Sequence, residues 1–172
     1  MKKIVKYLFV IGLVTIFGSC DDELHIYYSS TAELDGNWYV KYNHATYGED
    51  PFNVGYTPLY TYNTATDNGQ EIWLSDEANF WDYKVRIAAN PGGLSFGSSA
   101  EVTSIVDGYE IKVIIENGKI IKNAVELPSG VMADSIYFEV WFEDLAESTE
   151  IENDRLLVGG YRVTGFPEDV LH

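Results

Sequence analysis

The sequence predicts an all-β fold, an antiparallel up-and-down β-barrel of about eight to ten strands. Apolar and polar residues alternate along most of the chain, as they do in half-buried strands. Turn-forming residues bound these segments at short intervals, and helical periodicity is hard to find. A β-sandwich would share this pattern. We favour the barrel because strands of about eight to ten residues that are joined sequentially can close on themselves and leave no exposed edge.

Two segments show the alternation clearly. Residues 37–44 and residues 80–89 each place an apolar side chain at every second position, with mostly polar residues between them. The side chains that share the apolar face are Trp38, Val40 and Tyr42 in the first segment and Trp81, Tyr83, Val85 and Ile87 in the second. We therefore predict a strand in each segment, buried on one side.

A hairpin is predicted where Asn117-Gly118 separates the alternating segments 109–116 and 119–125. Asn-Gly readily adopts the positive φ angles that a type I′ turn requires, so these two segments should pair with each other. Two more strands are predicted over residues 135–143 and 155–165.

The N-terminus has the features of an export signal. Lys2, Lys3 and Lys6 precede an apolar run over residues 7–17, which is shorter than the roughly 20 residues that a membrane-spanning helix needs. The run ends in Phe17-Gly18-Ser19-Cys20, which resembles the bacterial lipobox. We predict that residues 1–19 are a lipoprotein signal peptide and that Cys20 is lipidated, which would attach the chain to a membrane.

The residues after the lipidation site predict where the protein is sent. Asp21-Asp22-Glu23 resembles the acidic cluster that serves as a surface-export signal in lipoproteins of Bacteroidetes. The resemblance implies an outer-membrane lipoprotein that faces the cell surface. A solvated tether that leaves the protein facing the periplasm is the alternative. We assign residues 20–33 to a lipidated acidic tether and residues 34–172 to the barrel domain.

Composition excludes some classes of partner. With 46% apolar residues, the chain can bury a core, and its length suits one domain beyond the tether. The formal net charge of −16 argues against nucleic acid and against bare anionic lipid headgroups, both of which require basic patches. Because Cys20 is the only cysteine, a disulfide framework is excluded.

A motif in the first predicted strand and a basic residue in the last resemble features of lipocalins. Gly36-Asn37-Trp38 stands at the start of the first strand and Arg162 in the last. In lipocalins and their calycin relatives, the Trp of a Gly-x-Trp motif closes the bottom of the barrel, and a basic residue of the last strand packs over its ring. The resemblance therefore implies that Trp38 and Arg162 form a barrel-closing structural pair, held by a cation–π contact.

Further segments make the resemblance more specific. The chain is similar to a Bacteroidetes family of lipocalin-like lipoproteins, catalogued as lipid-binding putative hydrolases, over essentially its whole length after the signal. The similarity is carried, in this order, by the segments 36–40, 62–65, 80–81, 134–136 and 162–169. It implies a lipocalin-like barrel and a lipid or another apolar or amphiphilic small molecule as the ligand.

Aromatic residues are the candidates for contact with such a ligand. The chain has 13 Tyr, 8 Phe and 4 Trp, and in an eight-stranded barrel such inward side chains either fill the interior or line a pocket for one small ligand. Candidate lining residues are Trp81, Tyr83, Phe138 and Phe142, and a lid over the open end is expected from Tyr47, Phe52, Tyr56 and Tyr60.

Catalytic chemistry is weakly indicated. No Gly-x-Ser-x-Gly is predicted at a strand-to-helix elbow, where serine hydrolases carry their nucleophile, and His44 is the only plausible catalytic imidazole. No Cys/His grouping suggests a metal, so we assign no catalytic residue, metal ligand or cofactor. Three functions stay open: a surface lipoprotein that binds a lipid, an accessory protein of an outer-membrane complex or glycan-binding system, and a hydrolase with an unusual site.

Overall fold

The structure, a computed structural model, describes residues 27–145, 147 and 155–171. The predicted signal peptide and Cys20 lie outside these residues. In the described part of the chain no helix is long and apolar enough to cross a membrane.

The described residues form eight β-strands. Their bounds are β1 Gly36–His44, β2 Thr57–Asn63, β3 Glu71–Ser75, β4 Lys84–Asn90, β5 Ser95–Thr103, β6 Lys112–Glu126, β7 Met132–Phe142 and β8 Leu156–Arg162. Each strand pairs antiparallel with the next, and β1 also pairs with β8, so the sheet closes on itself. This confirms the predicted antiparallel up-and-down barrel, with a strand number at the lower end of the predicted range.

In this up-and-down order, successive connections lie alternately at one end of the barrel and at the other. The lower end holds the start of β1, the β2–β3, β4–β5 and β6–β7 connections and the segment after β8. The upper end holds the other four connections, β1–β2, β3–β4, β5–β6 and β7–β8.

Strand alternation places one apolar set inside the barrel. The inward side chains are almost wholly apolar, and most have no accessible surface at all. They include Trp38, Val40, Leu59, Ile72, Leu74, Tyr83, Val85, Val113, Ile136, Phe138, Val140, Phe142, Leu156 and Val158. A smaller cluster of Leu127, Ala133 and Tyr161 lies outside this core.

The predicted hairpin at Asn117-Gly118 is wrong. Residues 112–126 form one continuous strand, β6, which pairs with β5 on one side and with β7 on the other. A type I′ turn needs two positive φ angles, but only Asn117 has one, at 56°. The pair forms a bulge in which the register with β7 shifts between Glu116 and Lys119. A Cβ on Gly118 would lie 2.4 Å from the ring of Phe96, so the bulge needs glycine there.

The predicted strand over residues 80–89 begins later, at Lys84. The carboxylate of Asp76 accepts hydrogen bonds from the backbone N–H groups of Phe80 and Trp81, at 2.7 and 2.9 Å. These donors are therefore not available for strand pairing, and the chain turns. Trp81 consequently lies in the β3–β4 connection, while Tyr83 lies just before β4.

Candidate functional site

The lower end of the barrel is closed by Trp38 and Arg162. The guanidinium carbon of Arg162 lies 4.4 Å from the centre of the Trp38 ring, and its Nη1 donates to the carbonyl of Asp35 at 2.7 Å. The indole Nε1 donates to Thr61 Oγ1 at 2.8 Å, and that hydroxyl donates to the carbonyl of Leu34 at 2.6 Å. These bonds join β8 and β2 to the segment before β1, and together with the Trp38 ring they form the floor of the barrel.

The barrel interior is filled by side chains. Tyr83, Phe138 and Phe142 point inward, as expected for lining residues, but each has 0% of its surface exposed. A water-sized cavity beside a side chain would give that side chain accessible surface. These three residues therefore belong to the packed core in this state, and any ligand must displace other groups to reach them.

Three aromatic rings cover the core at the upper end. Phe80 stacks on Tyr42, with ring centres 4.0 Å apart and planes 20° apart, and Phe52 packs edge-on against Phe80 at 5.2 Å. Trp81 stacks on Phe142 at 5.6 Å. We call Phe52, Phe80 and Trp81 the aromatic plug. All three are only partly buried and come from the β1–β2 and β3–β4 connections, whereas the rings beneath them come from strands or their immediate flanks.

A chain of hydrogen bonds lies beneath the aromatic plug. The hydroxyl of Tyr42 donates to Asp76 Oδ1 at 2.9 Å, and the hydroxyl of Tyr83 lies 3.1 Å from that of Tyr42. Because the one hydroxyl hydrogen of Tyr42 points to Asp76, the hydroxyl of Tyr83 is the donor in its bond to Tyr42. Asp76 Oδ2 accepts the two backbone bonds from the plug residues Phe80 and Trp81. One carboxylate thus connects the polar part of the interior with the turn that carries the plug.

Burial governs the ionisation of this group. Desolvation raises the pKa of Asp76 above its ordinary value, although the bonds from Phe80, Tyr42 and Trp81 act in the opposite direction. Desolvation also raises the pKa of Tyr42 and of Tyr83 well above that of a free tyrosine. Both phenols therefore stay protonated and serve as hydrogen-bond donors at neutral pH.

A second carboxylate holds the plug from the other side. Asp144, in the β7–β8 connection, accepts a hydrogen bond from Trp81 Nε1 at 3.1 Å and another from the hydroxyl of Tyr109. Burial, followed by the bond to Asp144, raises the pKa of Tyr109 to about 12. Asp144 thereby ties the β3–β4, β5–β6 and β7–β8 connections together over the upper end.

The four aromatic residues predicted to form a lid lie in different places. Phe52 lies in the plug, and Tyr47 lies at the upper end beside His44, with its side chain 58% exposed. Tyr60 lies on the outer wall because its neighbours in β2, Leu59 and Thr61, are the ones that point inward. Tyr56 packs against Tyr161 and lies 4.7 Å from Lys41 Nζ, also outside the barrel. Neither of these two tyrosines lines the interior.

The placement of His44 does not indicate catalysis. Its Nδ1 accepts hydrogen bonds from the backbone N–H groups of Thr46 and Tyr47, at 3.0 and 3.2 Å, and so holds the first turn after β1. The letters Gly-x-Ser-x-Gly do occur, at residues 93–97, but Ser95 begins β5 after a short 3-10 turn and no helix follows it. Ser95 lies at the lower end and His44 at the upper end, so they cannot act on one substrate atom.

Metal binding finds no support in the described residues, where no group of three or more His, Cys, Asp or Glu side chains is placed to hold an ion. Asp76, Phe80 and Asp144 belong to the site but were not predicted from the sequence, and of these Asp76 has a local signal. The signal for Asp76 is the spacing Asp76-x-x-Asn79, which is typical of a side-chain-capped turn, but the alternation over residues 80–89 predicts a strand instead.

Comparison with protein families gives one match over most of the chain. A family model described as a lipid-binding putative hydrolase matches residues 23–167. The match spans the whole barrel, from before β1 to beyond β8. Comparison with curated proteins gives no match.

Proposed function

The chain belongs to the family of lipid-binding putative hydrolases, and from that premise we propose that its barrel binds an apolar or amphiphilic molecule through the upper end. The observation that carries the proposal is the aromatic plug, which lies between solvent and a closed apolar interior. The plug consists of connection residues, so its rings can leave without breaking the strand pairing of the barrel.

Ligand binding then exchanges one apolar group for another. When the β3–β4 connection moves outward, Phe80 and Trp81 vacate the space above Tyr42 and Phe142. An acyl or isoprenoid chain fills that space, and burial of its surface contributes about 25 cal/mol per Å². The rest of the barrel stays closed, because the floor at Trp38 and Arg162 belongs to the β1–β8 seam.

The polar group below the plug selects the ligand headgroup. Movement of the plug removes the two N–H donors of Phe80 and Trp81 from Asp76, and this leaves a buried carboxylate that must accept other hydrogen bonds. A headgroup with a donor, such as an alcohol or an amide, satisfies it. A fatty-acid carboxylate would instead place a second negative charge beside the first. We therefore expect a preference for neutral amphiphiles over fatty acids.

Fluorescence quenching tests this proposal with the chain from residue 21, which contains all eight strands. A long-chain alcohol with bromine in its tail should quench tryptophan emission, and the matched bromo-fatty acid should quench it more weakly. Trp81→Phe should remove most of the quenching, because Trp81 is the indole in the plug. Trp73→Phe is the matched control, since Trp73 lies on the outer wall between Lys84 and Arg86. Equal quenching in both variants would place the ligand elsewhere.

We also propose that the mature chain is an outer-membrane lipoprotein that faces the cell surface and is held by lipid on Cys20. The support is the lipobox-like Phe17-Gly18-Ser19-Cys20 and the acidic residues that follow it. Replacement of Cys20 by Ser should move the protein from the membrane fraction to the soluble fraction. Protease added to intact cells should degrade the wild-type chain, and replacement of residues 21–23 by alanine should protect it. Protection of the wild-type chain would contradict the outward orientation.

A further inference from the structure

The lower end of the barrel carries exposed apolar residues that the proposed ligand site does not use. Val131, just before β7, and Met132, its first residue, expose 38% and 48% of their surface, while Phe166 and Val170, after β8, expose 47% and 36%. We call these four residues the lower apolar patch. Two shallow depressions of about 210 and 270 Å³ run through it and share Val163, Thr164 and Phe166, so the patch is continuous.

The patch is held in a fixed shape. Asp169 accepts hydrogen bonds from the backbone N–H and the hydroxyl of Ser129, both at 2.8 Å, and another from Thr164 Oγ1 at 2.5 Å. The hydroxyl of Tyr161 donates to the carbonyl of Asp169 at 2.8 Å. These bonds join the β6–β7 connection to the segment after β8, so Val131, Met132 and Phe166 are presented on a rigid base.

The N-terminal segment reaches the barrel at this same end. The backbone N–H of Ser30 donates to Asp67 in the β2–β3 connection at 2.7 Å, and Glu33 pairs with Lys122 of β6 at 2.9 Å. Tyr27 and Tyr28, where the described chain begins, are 80% and 71% exposed. Cys20 stands seven residues before Tyr27. Seven residues span at most about 25 Å.

We infer that the lower apolar patch rests on the membrane that holds the lipid anchor, with Phe166 and Met132 inserted among the headgroups. This rests on the lipoprotein part of the proposed function. The partner is a zwitterionic bilayer surface, because the full sequence has a formal charge of −16 and the anchored chain, without Lys2, Lys3 and Lys6, is more acidic still and is repelled by anionic lipid. The barrel then stands with its lower end on the membrane and its aromatic plug facing away from it.

Tryptophan substitution tests the orientation. The chain beginning at Cys20 is coupled through this single thiol to a maleimide phospholipid in vesicles of brominated phosphatidylcholine, and emission is compared with that in unbrominated vesicles. Phe166→Trp should add quenched emission relative to the parent chain. Tyr47→Trp, at a similarly exposed site of the upper end, should add emission that is not quenched. Met132→Asp in the Phe166→Trp background should abolish the added quenching.

The outcomes separate the two proposals. Equal quenching of the tryptophans at residues 166 and 47, or no quenching of either, would overturn the inferred orientation, whether or not Cys20 is lipidated in cells. Chemical coupling does not depend on cellular lipidation, so the mass of Cys20 in protein isolated from cells reports on the anchor separately. Near-ultraviolet circular dichroism of each variant shows whether the barrel is intact before quenching is compared.

Discussion

Arg162 and Trp38 are direct partners in the strand register that closes the barrel, and the guanidinium of the one lies 4.4 Å from the ring centre of the other. The same side chain donates to the carbonyl of Asp35, 127 residues earlier in the chain. One residue near the end of the fold therefore fixes the indole, the first strand and the segment before it.

Replacement of Arg162 by Ala should lower the free energy of unfolding by about 1–3 kcal/mol, because it removes a cation–π contact and leaves the Asp35 carbonyl without its donor. Urea unfolding measures the difference. Arg155→Ala, at the other end of β8, is the matched control: it breaks a partly exposed ion pair with Glu116, for which we expect about 0–1 kcal/mol. Equal losses in the two variants would show that the contact with Trp38 contributes nothing.

The adjacent glycines of β8 should respond in opposite ways to alanine. A Cβ on Gly160 would lie 2.0 Å from the carbonyl oxygen of Tyr39 in β1, whereas one on Gly159 would meet no atom within 4 Å. Gly160→Ala should therefore force the β1–β8 seam apart and cost about 3 kcal/mol or more. Gly159→Ala should be neutral or slightly stabilising, by less than about 1 kcal/mol. Thermal unfolding of both variants checks this, and a tolerant Gly160 would mean that the seam is looser than described.

The stability conferred by Asp76 should increase as the pH falls. Burial raises its pKa in the folded state, so its favourable contribution is complete below the unfolded pKa of about 3.9 and is lost as pH rises through the folded value. The free energy of unfolding of the wild-type chain, relative to Asp76→Asn, should therefore grow as the pH falls from 7 towards the unfolded pKa of about 3.9. Urea unfolding at several pH values measures it. A difference independent of pH would mean that Asp76 keeps an ordinary pKa.

Asp169 should show the opposite dependence. Hydrogen bonds from Thr164 and Ser129 outweigh desolvation and lower the pKa of its carboxyl, so its contribution is present above the unfolded pKa and is lost as pH falls through the folded value. Asp169→Asn should lower the melting temperature at pH 7, and the difference from wild type should shrink below about pH 4. A constant difference down to pH 2 would refute the shifted pKa.

Most strands could be predicted because a barrel strand alternates apolar and polar residues over a short stretch of sequence. Residues 37–44 alternate, and β1, Gly36–His44, covers all of them. β5 gave no such signal, since its sequence Ser-Phe-Gly-Ser-Ser-Ala-Glu-Val-Thr is small and polar and only Phe96 is buried. Its place in the sheet is imposed by β4 and β6 on either side.

The site was less predictable because its contacts join distant parts of the chain. The alternation predicts Trp81 as a lining residue on a strand, but its bond to Asp144 spans 63 positions and lies in the connections at the upper end. The hairpin predicted at Asn117-Gly118 is wrong for a related reason. The local preference of Asn-Gly for a tight turn is weaker than the pairing of β6 with strands on both of its edges. The contact between Trp38 and Arg162 was predicted from the resemblance to lipocalins, because that resemblance relates residues that are far apart in the sequence.

Pairing of β1 with β8 also removes the last open edges of the sheet, and open edges promote aggregation. Until Leu156–Arg162 has emerged, β1 has no partner on one side and β7 none on the other, so a growing or truncated chain presents two open sheet edges. A stop codon anywhere before residue 156 should therefore yield an aggregating product rather than a smaller folded one. If the chain is exported as we propose, closure follows translocation, because β8 crosses the membrane last and completes the barrel.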